Sequence, residues 1–381
     1  LSKEVDVHAT NAAEVAVLVR ESDGAVTVSL TSRDTAGSVP YFARTFRKGE
    51  TNDLRLFLGG GNDSAIVRGT GGGITIRVLG ESDAVLLVDS ASSGTDRFYG
   101  TETASRKTAG LGSHVDRRPW APPPNPNPRA LPPRDWGSRA QWNLWASAGP
   151  DLGLFFGLGH TLTTYGFRKL PFSTRHVLRA GFATGPPSYR AEYQGEFRGE
   201  NSRVAGALLL RASGIDVIRF YGFGNETAAP GSDEFYRVTQ DEIRVEPSLL
   251  LPLAGPLTLT LGPALKYVST DRRPNRFLAT LNPYGVGNFG ELGARAALRF
   301  DTRDRLSAAT RGVNLEVSGA VHPDWWNVPE VFGDLAGEVL TFLSPKAPLD
   351  PTFAFRLGGR KIFGRFPYFE SAFIGDRSTV R

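Results

Sequence analysis

Alternation of apolar and polar residues is the main pattern of the chain, and it is strongest from about residue 141 onward. In segment 189–198 every second residue is apolar or glycine, and the residues between them are charged or carry an amide. The first set is Tyr189, Ala191, Tyr193, Gly195 and Phe197, and the second is Arg190, Glu192, Gln194, Glu196 and Arg198. Because successive side chains of a strand point to opposite faces, this segment predicts a strand with one apolar and one charged face.

The length of such segments separates a transmembrane β-barrel from a soluble β-sandwich, whose strands also alternate. Strands of soluble domains average about 5–6 residues and tilted membrane strands need about 9–11, whereas segment 152–167 has 16 residues. The sequence therefore predicts an all-β fold in which an antiparallel transmembrane β-barrel, 141–381, follows a smaller β-rich module. The candidate barrel strands are 151–168, 173–184, 188–198, 203–213, 216–223, 234–253, 256–270, 288–303, 311–322, 331–344 and 351–364.

These candidate strands do not close a barrel by themselves. Bacterial single-chain barrels have an even number of strands, and an unpaired edge in lipid is costly, so we expect the barrel to be incomplete at its C-terminal end. Aromatic residues near the ends of the candidate strands predict girdles at the level of the lipid headgroups. They are Phe155, Phe156, Tyr165, Phe167, Phe220 and Tyr221.

The region 1–111 has short alternating segments punctuated by Gly, Asp and Ser, which predicts a small β-rich module. Segments 58–67 and 79–88 each place a Gly or acidic turn before an apolar strand, and their spacing of about 21 residues suits a short solenoid-like stack. The turn residues Asp63 and Asp83 are weak calcium candidates; the alternative is a tight turn in which Gly supplies positive φ. The following interval, 112–140, is rich in Pro and predicts a linker.

Composition excludes several functional classes. The formal charge is +5, but the basic residues are spread along the chain, which argues against a nucleic-acid-binding surface. The absence of Cys removes disulfides and thiolate metal sites, and no apolar run reaches the length of a membrane-spanning helix. The five His residues lie far apart, and the chain has no nucleophile elbow, phosphate loop or zinc pair. We therefore expect neither enzymatic activity nor a cofactor.

Three ordered motifs resemble the BamA-type bacterial surface antigen superfamily. Segment 367–381, PYFESAFIGDRSTVR, resembles the stretch that leads into the inward-folded loop of these barrels. Segment 298–312 resembles their strand-turn-strand element, and 220–227 resembles a hairpin of members fused to other extracytoplasmic domains. The chain departs from the family where Asp376 replaces a second glycine, and region 1–111 has no counterpart of the mixed helix-and-strand periplasmic repeats.

The resemblance implies roles for particular residues. Gly375, Asp376 and Arg381 would belong to the inward loop, with Arg381 meeting acidic residues inside the barrel; the alternative is that Arg381 is a solvated charge. The residues Asp301, Arg303 and Asp304 have two interpretations as well. They form either a charged turn that keeps a hairpin in water or ion pairs of the barrel lumen.

The resemblance also implies a location and a function. It places the barrel in the bacterial outer membrane, with the N-terminal module in the periplasm, and predicts a role in inserting or translocating proteins there. The expected partners are outer-membrane lipid, unfolded outer-membrane client proteins and periplasmic assembly proteins. Two alternatives stay open: a solute pore, and a membrane anchor for a fused periplasmic or surface domain.

Overall fold

The computed structural model divides the chain into two compact units, Leu1–Pro132 and Pro133–Arg381. Both are built almost entirely of strands. The described residues are 3–34, 39–80, 85–92, 94–100, 107–108, 113–120, 133–149, 152–185, 187–215, 219–224, 226–305, 308–346 and 350–372.

Two sheets make up the first unit. One has the order β1-β5-β7-β9-β11 and is parallel throughout; the other has the order β10-β8-β6-β2-β3-β4 and is parallel up to β2 and antiparallel beyond it. The strands are β1 (Glu4–His8), β2 (Glu14–Arg20), β3 (Val26–Ser32), β4 (Phe42–Phe46), β5 (Asp53–Leu58), β6 (Ser64–Gly69), β7 (Thr75–Gly80), β8 (Leu86–Asp89), β9 (Thr95–Tyr99), β10 (Lys107–Thr108) and β11 (Ser113–Asp116).

The parallel strands stack as successive rungs, as the sequence spacing predicts. Asp53 pairs with Thr75 in one sheet and Ser64 pairs with Leu86 in the other, so these two rungs each advance the chain by 22 residues. The next rung of the first sheet, Thr75 to Thr95, advances it by 20. Apolar side chains from both sheets form one buried cluster, which includes Leu18 on β2 and Ile76 on β7, both fully buried. The repeat spacing is therefore the number of residues that the chain needs to form one strand in each of the two sheets.

A buried ion pair joins the two sheets. Arg20 at the end of β2 and Asp96 on β9 are both almost fully buried and hydrogen-bonded to each other. The Arg20 guanidinium also donates to the carbonyl oxygen of Ile74 at 3.0 Å. Because a buried charge that loses its partner is strongly destabilising, this pair constrains which rungs face each other.

The second unit is one antiparallel sheet of eleven strands, each paired with its neighbours in chain order. Two short helices, α1 (Asp233–Tyr236) and α2 (Phe277–Leu281), lie in its connections, and a 3₁₀ turn, η1 (Tyr368–Glu370), follows the last strand. The strands are β12 (Ser138–Gly149), β13 (Gly153–Thr164), β14 (Thr174–Ala183), β15 (Ser188–Arg198), β16 (Ala205–Ser213), β17 (Gln240–Pro252), β18 (Leu257–Thr270), β19 (Asn288–Asp301), β20 (Gly312–His322), β21 (Phe332–Leu343) and β22 (Phe353–Phe363).

Ten of the eleven candidate strands in this region correspond to strands of the sheet. The candidate 216–223 does not: among its described residues, Arg219 makes an isolated bridge to Arg237 and the rest lie in a connection. The sequence prediction missed β12, although Arg139, Gln141 and Asn143 alternate with Ala140, Trp142 and Leu144 along it. The interval 112–140 contains β11 and the start of β12 in its described parts, while 121–132 lies outside the described residues.

Connections at the two ends of the sheet differ in length. The end reached by β16, β18 and β20 carries the longest ones, 214–239 and 271–287. At the opposite end, where the chain enters through 133–137, no connection between described strands is longer than 302–311. We call these the long-loop end and the short-loop end. No helix in the described residues is long and apolar enough to cross a membrane.

Candidate functional site

The eleven-stranded sheet exposes an apolar face. Leu144 of β12 is 81% exposed, and aliphatic side chains of the other strands continue the surface in cross-strand register, as where Leu178, Tyr193 and Leu210 stand side by side. Such a large exposed apolar surface marks a contact with lipid or another partner. Its exposed aliphatic residues include Leu144, Leu158, Leu178, Leu210, Ile243, Leu249, Leu261, Leu298, Leu315, Val317, Leu335 and Leu357.

Aromatic residues border this aliphatic band at both ends of the strands. At the long-loop end Phe156, Phe182 and Tyr189 are direct cross-strand neighbours. In the same region the Trp326 ring stacks on Tyr267 at 5.9 Å and covers Gly290, where a Cβ would lie only 2.1 Å from the indole. Exposed aromatics near the short-loop end are Trp142, Phe197, Phe300, Phe353 and Phe355.

The aromatic borders differ from the predicted girdles in membership. Of the residues named from the sequence, Phe156 and Tyr221 are exposed, but Phe155, Phe167 and Phe220 are buried. Phe155 points to the opposite face of β13 and packs with Leu152 and Ala183. Of the six aromatics named for their proximity to a strand end, two are therefore exposed, and proximity could not assign the face of the sheet on which a ring lies.

The opposite face of the sheet is polar and lines a cavity of about 820 Å³. Its walls come from eight successive strands, β12 to β19, so this face is concave across them. The charged lining residues are Arg175, Arg179, Glu196, Glu246 and Arg295. The period-two pattern of the sequence is thus converted into an apolar convex face and a charged concave one.

Glu192 is the centre of a cluster of arginines on the concave face. Its carboxylate is 2.8 Å from Arg211 on β16, 3.5 Å from Arg190 on its own strand and 3.6 Å from Arg179 on β14. The strand register causes the clustering, because Glu192 is the direct partner of both Arg179 and Arg211. One carboxylate therefore faces three guanidinium groups.

The segment after β22 folds onto the concave face near the long-loop end. Tyr368 of η1 is fully buried, and its hydroxyl bonds the Oγ1 of Thr270 at 3.0 Å and donates to Gln240. Burial raises the pKa of Tyr368 above its ordinary value. This contact joins the segment to the start of β17 and the end of β18.

A charge network holds the same segment. The Glu370 carboxylate accepts a hydrogen bond from Arg360 of β22 at 2.7 Å and pairs with Lys266 of β18. Lys266 also lies 3.5 Å from the buried carboxylate of Glu291 on β19. Two carboxylates and two cations from four elements therefore meet inside the concavity. We call this group the Glu370 network.

Apolar and aromatic side chains close over the Glu370 network from the long loops. Tyr368 packs against Phe220 from connection 214–239, with ring centroids 5.3 Å apart, and Phe369 packs against Phe289 at 5.6 Å. These contacts fill the long-loop end of the concave face. The buried members are Phe220, Val238, Val268, Leu278, Val286, Phe289, Val328, Phe332, Tyr368 and Phe369.

The predicted residues of the 302–311 hairpin lie at the short-loop end. Asp301 pairs with Arg303 at 2.8 Å and with Arg299 at 2.7 Å. Asp304 instead accepts hydrogen bonds from the Thr310 hydroxyl at 2.7 Å and from the Thr310 backbone at 2.9 Å. These bonds from Thr310 lower the pKa of Asp304 to about 2. Asp301 and Arg303 are thus brought together as an ion pair, while Asp304 ties the turn.

The remaining predicted site residues fall in two places. Gly375, Asp376 and Arg381 lie outside the described residues, as does Asp83. Asp63 is buried and accepts the backbone N–H of Glu14 at 3.0 Å, and burial raises its pKa. In the described ranges no three His, Cys, Asp or Glu side chains cluster as metal ligands. The hydrogen bond of Asp63 therefore joins β2 to the turn before β6.

Sequence reasoning did not single out the Glu370 network. Lys266 and Glu291 are ordinary charged positions of alternating strands, and only the register makes them direct partners. Glu370 lies within the motif at 367–381, but its partners are distant in the chain. The burial of these charges follows from how the segment after β22 folds back, which no local pattern encodes.

Comparison with known proteins gives no family for the chain. No protein-family model matches it, and no curated protein matches it. The class defined by the fold is therefore structural: an all-β protein with a two-sheet module of mostly parallel strands and an eleven-stranded antiparallel sheet.

Proposed function

We propose that the chain is an outer-membrane β-barrel protein whose apolar face contacts lipid and whose charged face borders an aqueous lumen. One observation carries this proposal: the exposed aliphatic band is bordered by aromatic residues at both ends of the strands. Membrane barrels have this outward arrangement, because aromatic rings are favoured at the headgroup level and aliphatic chains in the hydrocarbon.

The height of the band fits a bilayer. Tyr189 and Phe197, the outermost of the three outward aromatics of β15, are eight residues apart, which corresponds to roughly 27 Å along a strand. A strand tilt of about 40° reduces this to about 21 Å, near the apolar height of about 25 Å typical of outer-membrane barrels. Membrane barrels also have short periplasmic turns and longer external loops. The short-loop end would then face the periplasm, on the side where the chain enters the sheet.

Within this class, we propose a role in inserting or translocating proteins at the outer membrane, as the surface-antigen resemblance implies. Two features of the sheet support it. In the described residues β12, the first strand of the sheet, has a partner on one side, so its other side carries backbone groups that a client strand can pair with. The segment after β22 also occupies one end of the concave face, where the Glu370 network holds it. Displacement of this segment would open a path for a client protein.

The membrane proposal is tested with the full chain in detergent or lipid vesicles. We expect heat-resistant β structure and a different gel mobility for unboiled and boiled samples. A monomer that is folded and soluble without detergent would contradict the proposal, because the exposed apolar face would then be in water.

The insertion role is tested with a photocrosslinking residue at Leu144 on β12. We expect crosslinks to strands of newly made outer-membrane proteins. The control places the same photocrosslinking residue at Leu210 on β16, in the middle of the sheet, because β16 is already paired with a strand on each side. Equal crosslinking at both sites would contradict pairing at the edge.

A solute pore is the second candidate function, and the cavity of about 820 Å³ on the charged face favours it. Measurement of ion conductance in planar bilayers tests it. Steps of stable conductance by the purified chain, without crosslinks to client strands, would favour the pore over the insertion role.

A further inference from the structure

We propose that the concave face selectively accepts small anions, such as phosphate or carboxylate solutes, at the arginines of β14–β16 and β19. The inference rests on the proposal that this face borders an aqueous lumen. It deepens that proposal by naming the class of solute.

Charge on the concave face of β14–β16 is strongly unbalanced. The inward positions of these three strands carry five arginines and two glutamates in the described register. Glu192 is shared by three of the arginines, and Glu196 is paired with Arg198. The carboxylates are therefore already occupied, and the excess charge of this surface is positive.

Two cavity-lining arginines face the lumen without a carboxylate partner. Arg175 on β14 and Arg295 on β19 are both exposed, and within the described ranges neither forms an ion pair. The guanidinium carbon of Arg175 lies 4.8 Å from the centre of the Phe172 ring. Because the ring contacts the flat face of the guanidinium, the N–H donors at its edge remain available to an anion. Arg179 keeps 54% of its side chain exposed although it lies near Glu192.

The acidic residues of the cavity do not offset these cations. Glu246 lies 3.8 Å from Arg244, and Glu196 is bound by Arg198. A cation entering the cavity would compete with these arginines for the same carboxylates. An anion meets guanidinium groups whose fork of donors matches carboxylate and phosphate oxygens. Rings of Arg or Lys are the usual basis of anion preference in pores.

The test is the reversal potential of the full chain in a planar bilayer under a KCl gradient at low ionic strength, where screening is weak. We expect the wild-type chain to prefer chloride over potassium, and inorganic phosphate to reduce the chloride current. The double variant R175Q/R295Q should lower the anion-to-cation permeability ratio by about threefold or more, the effect of a unit charge at about 7 Å in water.

The matched control is E338Q/R356Q, which removes an ion pair between β21 and β22 on the same face of the sheet, away from the cavity lining, without changing its net charge. It should keep the wild-type selectivity. A cation-selective or unselective wild-type channel, or an unchanged ratio in R175Q/R295Q, would overturn the anion inference and leave the membrane barrel intact. Bilayer insertion without any conductance would also overturn it. Failure to insert at all would overturn the inference together with the proposed function.

Discussion

The two units of the chain place their apolar side chains in opposite ways. In the first unit, Leu18 and Ile76 belong to a cluster enclosed between two sheets. In the second, Leu144 and Leu357 lie on the outer face of a single sheet, where they are 81% and 73% exposed. Charged groups differ as well: ion pairs of the second unit lie on its concave face, whereas the Arg20–Asp96 pair of the first is buried between its two sheets.

This difference shows that period-two alternation does not specify where an apolar face is buried. A second sheet covers the apolar positions of the short strands in the first unit. The strands of the second unit have 9 to 14 residues and no covering sheet among the described residues. Their apolar face needs an apolar environment from outside the sheet, and a bilayer supplies one.

The largest expected effect separates the two apolar surfaces directly. Leu18→Ala should destabilise the first unit by about 2–5 kcal/mol, because it leaves a cavity in a closed core. Leu144→Ala, the matched change on the outer face of the sheet, should have a small effect on the chain in detergent. Chemical denaturation, monitored by the hydrogen exchange of peptides from each unit, measures both effects. Equal losses would mean that Leu144 is covered by protein and that the contrast between the units is wrong.

The second effect tests which face of the sheet meets lipid. Tyr193→Arg should cost about 2–4 kcal/mol in a bilayer if the outward face lies at its midplane. Gln194→Arg, one residue along, points into the cavity and should cost little. Folding equilibria of both variants in lipid vesicles give the two values. A greater cost at Gln194 would reverse the assignment of the two faces.

Much of the fold could be predicted from sequence, because it follows from local patterns. The alternation at 189–198 gave β15 and the identity of its two faces, and the 21-residue spacing gave the stacked rungs of the first unit. β12 was missed although it alternates, because its start falls in the interval 112–140 that the Pro content assigns to a linker. The segment 216–223 was predicted as a strand, yet Phe220 lies in a connection and is buried against Tyr368.

The candidate site was far less predictable. The ion pair of Asp301 and Arg303 is local and follows from adjacent residues. Lys266 and Glu370 are about a hundred residues apart in the chain, and they meet only because η1 folds back over β18. Gly60 to Asp63 resembled a calcium turn, but Asp63 is used to bond the backbone of β2. Contacts set by tertiary folding carry no periodic signal.

A third effect tests whether the segment after β22 is held by charge. Glu370→Gln weakens its bonds to Arg360 and Lys266, and we expect local opening to become easier by about 1.5–3 kcal/mol, the range for hydrogen bonds to charged groups. Hydrogen exchange of residues 364–372 measures it. Glu330→Gln removes an exposed pair with Arg365 and is the control. Similar exchange in both variants would show that apolar packing alone holds the segment.

The smallest effect concerns the hairpin 302–311 at the short-loop end. Hydrogen bonds from Thr310 lower the pKa of Asp304 from 3.8 to about 2. A carboxyl whose folded pKa is depressed stabilises the fold above its unfolded pKa, and this contribution disappears as the pH falls through the folded value. The turn should therefore be fully tied above pH 3.8 and released near pH 2. Amide exchange of Thr310 and Arg311, expressed relative to Asp304→Asn, reports this. The ratio should show protection near neutral pH and approach one in strong acid, and a ratio independent of pH would contradict the role of Asp304.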